Sequence, residues 1–194
     1  IPQSQLYPTT TPPERGSILR EHWANLPGTA ITNLTGIANY PGKPDGRETF
    51  LSFECLQQDW ATNVGTRMVG YVVPPTNGVY TFAVAASDRA ELWLSTDANP
   101  ANKQLIASVT NATTFRNWSN QVSQVSTGRT LVAWQKYYVE LLHKAGKNNN
   151  HYSVAWQPPG ATQFSVMDGS FLIPAGLTNS LPAQSNIFNT LVPS

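Results

Sequence analysis

Short runs of β-forming residues, broken about every ten residues by Gly, Pro and Asn turns, fill the chain from Ser17 to about Ile173. Spacing this tight leaves no room for long helices and predicts an antiparallel sandwich or barrel. The clearest pair of strands begins at Arg67 to Val73, turns at Pro74-Pro75-Thr76-Asn77-Gly78 and returns along Val79 to Ala86. Because strand side chains alternate with period two, Tyr80, Phe82, Val84 and Ala86 share one face of the returning strand. Glu91 to Thr96 alternates in the same way before the turn residues Asp97-Ala98-Asn99-Pro100, and Gln104 to Val109 supplies another strand. In Gln135 to His143 both faces carry large side chains, which suits a central strand covered on both sides. His151 to Gln157 follows and stops at Pro158-Pro159-Gly160, while Leu51 to Leu56 also reads as strand-like. The predicted core draws on Tyr80, Phe82, Val84, Leu92, Leu94, Val139, Leu141, Val154 and Trp156.

A chain of 194 residues fits one all-β domain with flanking segments. Residues 1–16, rich in Pro and Thr, read as an extended arm or linker, and 17–174 as the sandwich. The stretch 175–194 reads as a C-terminal arm dotted with Leu177, Leu181, Ile187, Phe188, Leu191 and Val192. Asn, Gln, Ser and Thr make up about a third of the chain and charged residues only 12%, so the surface is neutral and hydrogen-bonding. A net charge of +1 offers no basic stripe for phosphates, which argues against a nucleic-acid partner. No apolar run approaches the roughly 20 residues of a membrane helix, so membrane insertion is not expected. The chain opens at Ile1 and not at Met, from which export is inferred. The single cysteine, Cys55, reads as a small buried hydrophobe.

Catalytic chemistry is thinly represented. Three histidines (His22, His143, His151) are scattered, and no nucleophile elbow, zinc-protease helix, Walker loop or dinucleotide fingerprint occurs. Two carboxylates from distant strands could still serve a glycosidase, but the expectation is a protein that is not an enzyme. Asn33, Asn111 and Asn117 head N-glycosylation sequons.

The string GYVVPPTNGVYTFAVAASDRAELWLSTDANP, followed by KYYVELLHKAG and HYSVAWQPPG, resembles the PA-fourteen (PA14) domain family. That family is the jelly-roll type β-sandwich first described in the anthrax protective antigen and found in bacterial glycosidases and fungal adhesins. The resemblance covers roughly 17–173, with support from REHWANLPG and LSFE, and its bacterial branch implies an extracellular or cell-surface location. In sugar-binding members, two successive aspartates hold a Ca²⁺ ion that meets glycan hydroxyls, and a later loop supplies an Asn. Here Asp88 matches the first aspartate, Arg89 stands in place of the second, and the later loop matches Lys147-Asn148-Asn149-Asn150-His151. Calcium needs several oxygen ligands with carboxylates among them, so no cofactor is expected. The implied ligand-binding rim is Asp88, Arg89, Asn148, Asn149, Asn150 and His151, with an aromatic such as Trp118 beside it. Its partner would be a glycan or a cell-surface or matrix component. The competing expectation is a structural subunit of an extracellular assembly, binding copies of itself through its terminal arms.

Overall fold

The computed structural model describes residues 15–55, 61–146 and 150–176. Of the arms expected at 1–16 and 175–194, residues 1–14 and 177–194, and with them the arm-mediated self-association, lie outside the described residues.

Eleven strands form two antiparallel sheets: β1 (Ile18–Trp23), β2 (Gly46–Phe50), β3 (Val64–Val72), β4 (Gly78–Ser87), β5 (Arg89–Ser95), β6 (Lys103–Val109), β7 (Arg129–Leu131), β8 (Tyr137–Ala145), β9 (His151–Gln157), β10 (Ser165–Val166) and β11 (Leu172–Pro174). The larger sheet has the order β2-β1-β3-β8-β5-β6, and the smaller β10-β9-β4-β7. One short helix, α1 (Thr32–Thr35), sits in the connection between β1 and β2. The protein is an all-β sandwich, as the turn rhythm predicts.

Alternation decides what each strand buries. Tyr80, Phe82, Val84 and Ala86 of β4 face Leu92 and Leu94 of β5, Val139 and Leu141 of β8, and Val154 and Trp156 of β9 in one contiguous core. Phe82 stands opposite Trp156 in the β4–β9 ladder, and the Trp156 ring also packs on Tyr80 and Phe171 at centroid distances of 5.1 and 5.0 Å. β8 is buried along its whole length. The stretch 51–55, by contrast, is not a strand: Ser52 and Glu54 make only isolated bridges to Asp168 and Ser153. Between these bridges the segment changes partner, the Phe53 N–H donating to the Met167 carbonyl and the Cys55 N–H to the Tyr152 carbonyl, while the Glu54 side chain pairs with Arg116. Cys55 is buried, and Arg20 donates from Nη1 to its Sγ at 3.7 Å.

The outward face of the larger sheet carries charges in alternating sign. Arg47 on β2 and Arg67 on β3 both hold Glu21 on β1, and Arg67 and Lys103 both hold Glu140 on β8. Tyr138 and Tyr40 add their hydroxyls to Arg67 and Glu140. This ladder explains how a glutamate is tolerated in the middle of a buried strand: its two oxygens are shared between two cations.

β1 and β11 lie end to end along the same side of β3, with Leu19 opposite Val69 and Pro174 opposite Gly70. Gly70 marks the junction, since a Cβ there would run into the Ile173 carbonyl and the Ile18 side chain. Gly16 closes it, its N–H lying 3.0 and 3.1 Å from the carbonyl oxygens of Gly169 and Leu172.

Candidate functional site

Asp88 is the single residue between β4 and β5, at the end of the sandwich where β3 begins and β8 ends. Its N–H donates to the Lys144 carbonyl at 3.3 Å, and its Oδ2 accepts the Gly146 N–H at 2.9 Å. The carboxylate is therefore pinned by the start of the β8–β9 loop. Gly146 must be small for this: a Cβ would lie 3.0 Å from Thr29 and 3.4 Å from Asp88 Oδ2. Asp88 is partly exposed, and its Oδ1 has no hydrogen-bond partner among the described residues.

Neighbouring loops brace this end. The Asn63 N–H donates to the Gly146 carbonyl at 2.6 Å, and the Leu26 N–H to the Asn63 carbonyl at 2.7 Å. Lys144 is fully buried and donates its ammonium to the carbonyls of Gly28 at 2.6 Å and Ala145 at 2.9 Å. Burial pulls this amine below its ordinary range, and the Asp88 carboxylate offsets part of that effect. On the other side, Thr113 exchanges bonds with the Ala86 backbone, and Phe115 meets the His151 ring edge-on at 5.6 Å. Arg116 anchors the same loop through a paired hydrogen bond to Glu54, 2.9 and 2.5 Å.

The structure thus brings Asp88, Asn150 and His151 to one end of the sandwich but gives them different positions. Asn150 is fully buried and donates to the Ala61 carbonyl; His151 is 5% exposed and pairs with Ser87 in the β4–β9 ladder. Both therefore brace the loop from within, whereas the expected rim had them meeting a ligand directly. Arg89 is exposed and turns onto the outward face, opposite Lys144 in the β5–β8 ladder. Asn148 and Asn149 lie outside the described residues. Trp118 is half-buried, and Phe115 is the ring that reaches His151. Lys144, Gly28 and Gly146 carry much of the geometry, yet in sequence Lys144 reads only as a strand end; its signal is a lysine closing a largely apolar strand that also holds Glu140 and His143.

Behind the Asp88 turn, His143 is fully buried, with Nε2 bonded to the Ser87 carbonyl at 2.6 Å and the ring 4.7 Å from that of Tyr152. Its Nδ1 has no partner among the described residues. Burial pushes the imidazole down to about 3, with His151, Lys144 and Arg20 adding to the effect against the Ser87 bond. An unfolded chain takes up this proton near pH 6.5, so stability is fully present above that pH and declines as pH falls toward 3. From pH 7 to 4.5 the loss from this group is roughly 2 to 3 kcal/mol, by the linkage of about 1.4 kcal/mol per pH unit. Denaturant unfolding at the two pH values should show it, and His143→Gln should flatten the difference; an equal slope in the variant would remove His143 as its source.

A family model described as PA14 domain matches residues 28–170. A mouse N-acetyl-beta-glucosaminyl-glycoprotein 4-beta-N-acetylgalactosaminyltransferase 1 is 34% identical over 161 residues, covering 78% of this chain but only 15% of that enzyme. Among solved structures, the PA14 sugar-binding domain of an RTX adhesin superposes with a TM-score of 0.61 at 11% identity, covering 83% of this chain and 99% of that one. The A domain of epithelial adhesin 6 from Candida glabrata, in complex with Galβ1-3GlcNAc, does so with a TM-score of 0.59 at 14% identity, covering 86% and 90%.

Proposed function

Because the chain belongs to the PA14 domain family, we propose that it is a non-catalytic carbohydrate-recognition module of an extracellular or cell-surface protein, acting in adhesion or recognition. The observation that carries this is the Asp88 turn: a rigidly held carboxylate, with one oxygen on the Gly146 N–H and the other without a partner among the described residues, at an end braced by four loops. A fixed acceptor of this kind selects hydroxyl donors by geometry, as sugar recognition requires. The RTX adhesin domain is named as sugar-binding, and the Candida adhesin domain is seen with a disaccharide; both share this fold and support the assignment.

Catalysis has little to work with in the described part. Glu21, Glu48, Glu54 and Glu140 are all engaged by arginine or lysine, and a general acid or base needs a proton it can exchange. The mouse relative is a transferase in name, but the chain spans a small part of it, and a binding module within a larger enzyme is consistent with both facts.

The donor set does not suit calcium. Among the described residues no group of three or more His, Cys, Asp and Glu converges, Asp88 is followed by a guanidinium, and the Lys144 ammonium already holds the Gly28 carbonyl beside it. Recognition is therefore proposed to be independent of the ion. A glycan array run with calcium and with chelator should return the same hits, and Asp88→Ala should weaken them at least about tenfold, the loss of one charge-assisted hydrogen bond. Binding that vanishes with chelator would reject the calcium-free part; binding unchanged in Asp88→Ala would reject the site.

A further inference from the structure

Arg89 is the only described arginine without a partner. Arg20, Arg47, Arg67 and Arg116 are ion-paired, Arg129 bonds Gln104, and Arg15 stacks on Trp134. Arg89 instead lines a groove of about 280 Å³ between the α1 segment and the outward face of β5 and β6. One wall is formed by Ile31 and Thr32, the other by Glu91, Leu105 and Thr110, with Leu105 46% exposed. Its size falls just below that of small-molecule sites, roughly 300–1,000 Å³, and suits a single ring.

From this groove we infer the ligand class of the proposed site: a saccharide bearing an anionic group, whose carboxylate or sulfate is taken by Arg89. The inference rests on the carbohydrate-recognition reading above and deepens it. A guanidinium is a rigid fork of donors matched to two oxygens of one anion, and here it faces a recess instead of a protein carboxylate. The groove also offers what the rest of a sugar needs. Leu105 and Ile31 give apolar surface for the C–H face of a pyranose; the Thr32 hydroxyl can donate or accept, and the Thr110 hydroxyl, which donates to Gln121 Oε1 at 2.8 Å, can accept. Glu91 lines the same groove without an ion pair to Arg89, its Oε2 accepting the Trp93 Nε1–H at 3.2 Å, so an anion is placed on the guanidinium and away from this carboxylate. It is left to accept from sugar hydroxyls. Asp88, next along the chain, does not line this groove and would repel an anion, so the charged substituent is assigned to Arg89 within the groove and hydroxyls of the remaining saccharide to Asp88 beyond it.

The test is an amide-shift titration of the whole chain by NMR with glucuronic acid, N-acetylneuraminic acid and galactose 6-sulfate, against glucose and galactose. The acidic sugars should bind at least tenfold more tightly than the neutral ones, shifting amides at 30–32 and 108–110, and added salt should erase the difference by screening. In Arg89→Gln the ratio should fall to about one, with Arg89→Lys recovering part of it. A preference shared by carboxylated and sulfated sugars identifies a general anion site; one confined to carboxylates identifies the planar pair. Equal binding of neutral and acidic sugars, or a preference surviving in Arg89→Gln, would overturn the inference while leaving glycan recognition intact. No shift with any sugar, acidic or neutral, would overturn both.

Discussion

Phe82→Ala is expected to cost about 3 to 5 kcal/mol of unfolding free energy, the range for deleting a fully buried aromatic ring. Phe82 is 0% exposed, stands opposite Trp156 across the β4–β9 ladder and projects into the space between the two sheets. Its removal forfeits the burial of the ring and leaves a cavity that cannot close easily, since Tyr80, Trp156 and Phe171 already pack against one another. For a domain of this size the melting temperature should fall by roughly 6 to 20 °C, at about 2 to 4 °C per kcal/mol. Calorimetry of the variant beside the parent measures this directly. A change below about 0.5 kcal/mol would be a surface effect and would contradict the core placed here.

Glu140→Gln is expected to be nearly as damaging, for an electrostatic reason. Glu140 is 1% exposed and is the common partner of Arg67 and Lys103, which are 19% and 34% exposed at their side chains. Removing one partner of a buried pair typically costs about 3 to 5 kcal/mol because the remaining charge stays desolvated. Here Arg67 keeps Glu21, and Lys103 reaches water, so the cost should fall near about 3 kcal/mol. The sign with pH is also fixed. Burial pushes the Glu140 carboxyl up, but Arg67 and Lys103 prevail and hold it below its ordinary value of 4.5. Its stabilisation is therefore full above pH 4.5 and is lost as pH falls through the depressed value, because the unfolded chain takes up the proton first. Acid titration of the Glu140→Gln variant should lack that part of the slope; a parent and variant that lose stability in parallel below pH 4.5 would show that the ladder does not hold the carboxylate.

These two residues also show what was legible in the sequence. Phe82 could be placed from alternation alone, as could the other eight expected core residues, because a strand's period of two is a local property and all nine enter the same cluster. Glu140 could be recognised as a polar residue in an apolar strand, but not paired. Its partners come from β3, next to β8 in the sheet, and from β6, reaching across β5, both distant from Glu140 in sequence. The same distinction applies at the candidate site. The Ser-Asp-Arg turn was visible as a break between alternating runs. That Asn150 and His151 are interior braces, and that a buried lysine ties the turn to Gly28, depends on loops converging from five parts of the chain. The expected strand at 51–56 gave, over 51–55, only isolated bridges, because the segment passes from the 167–169 stretch to β9, a change of partner that alternation does not encode.

The meeting of β1 and β11 beside Gly70 has a mechanical consequence. The backbone enters the sandwich at Ile18 and leaves it at Pro174 within reach of the same residue of β3, and the Gly16 bonds to Gly169 and Leu172 join the two passages. Tension applied through both flanks would therefore be transmitted across these few contacts and would not run the length of the sandwich. The Asp88 turn sits at the far end of β3, about 20 Å away at 3.3 Å per residue from Gly70 to Val64. A module hung in this way can be loaded by whatever holds it while its loops keep their shape.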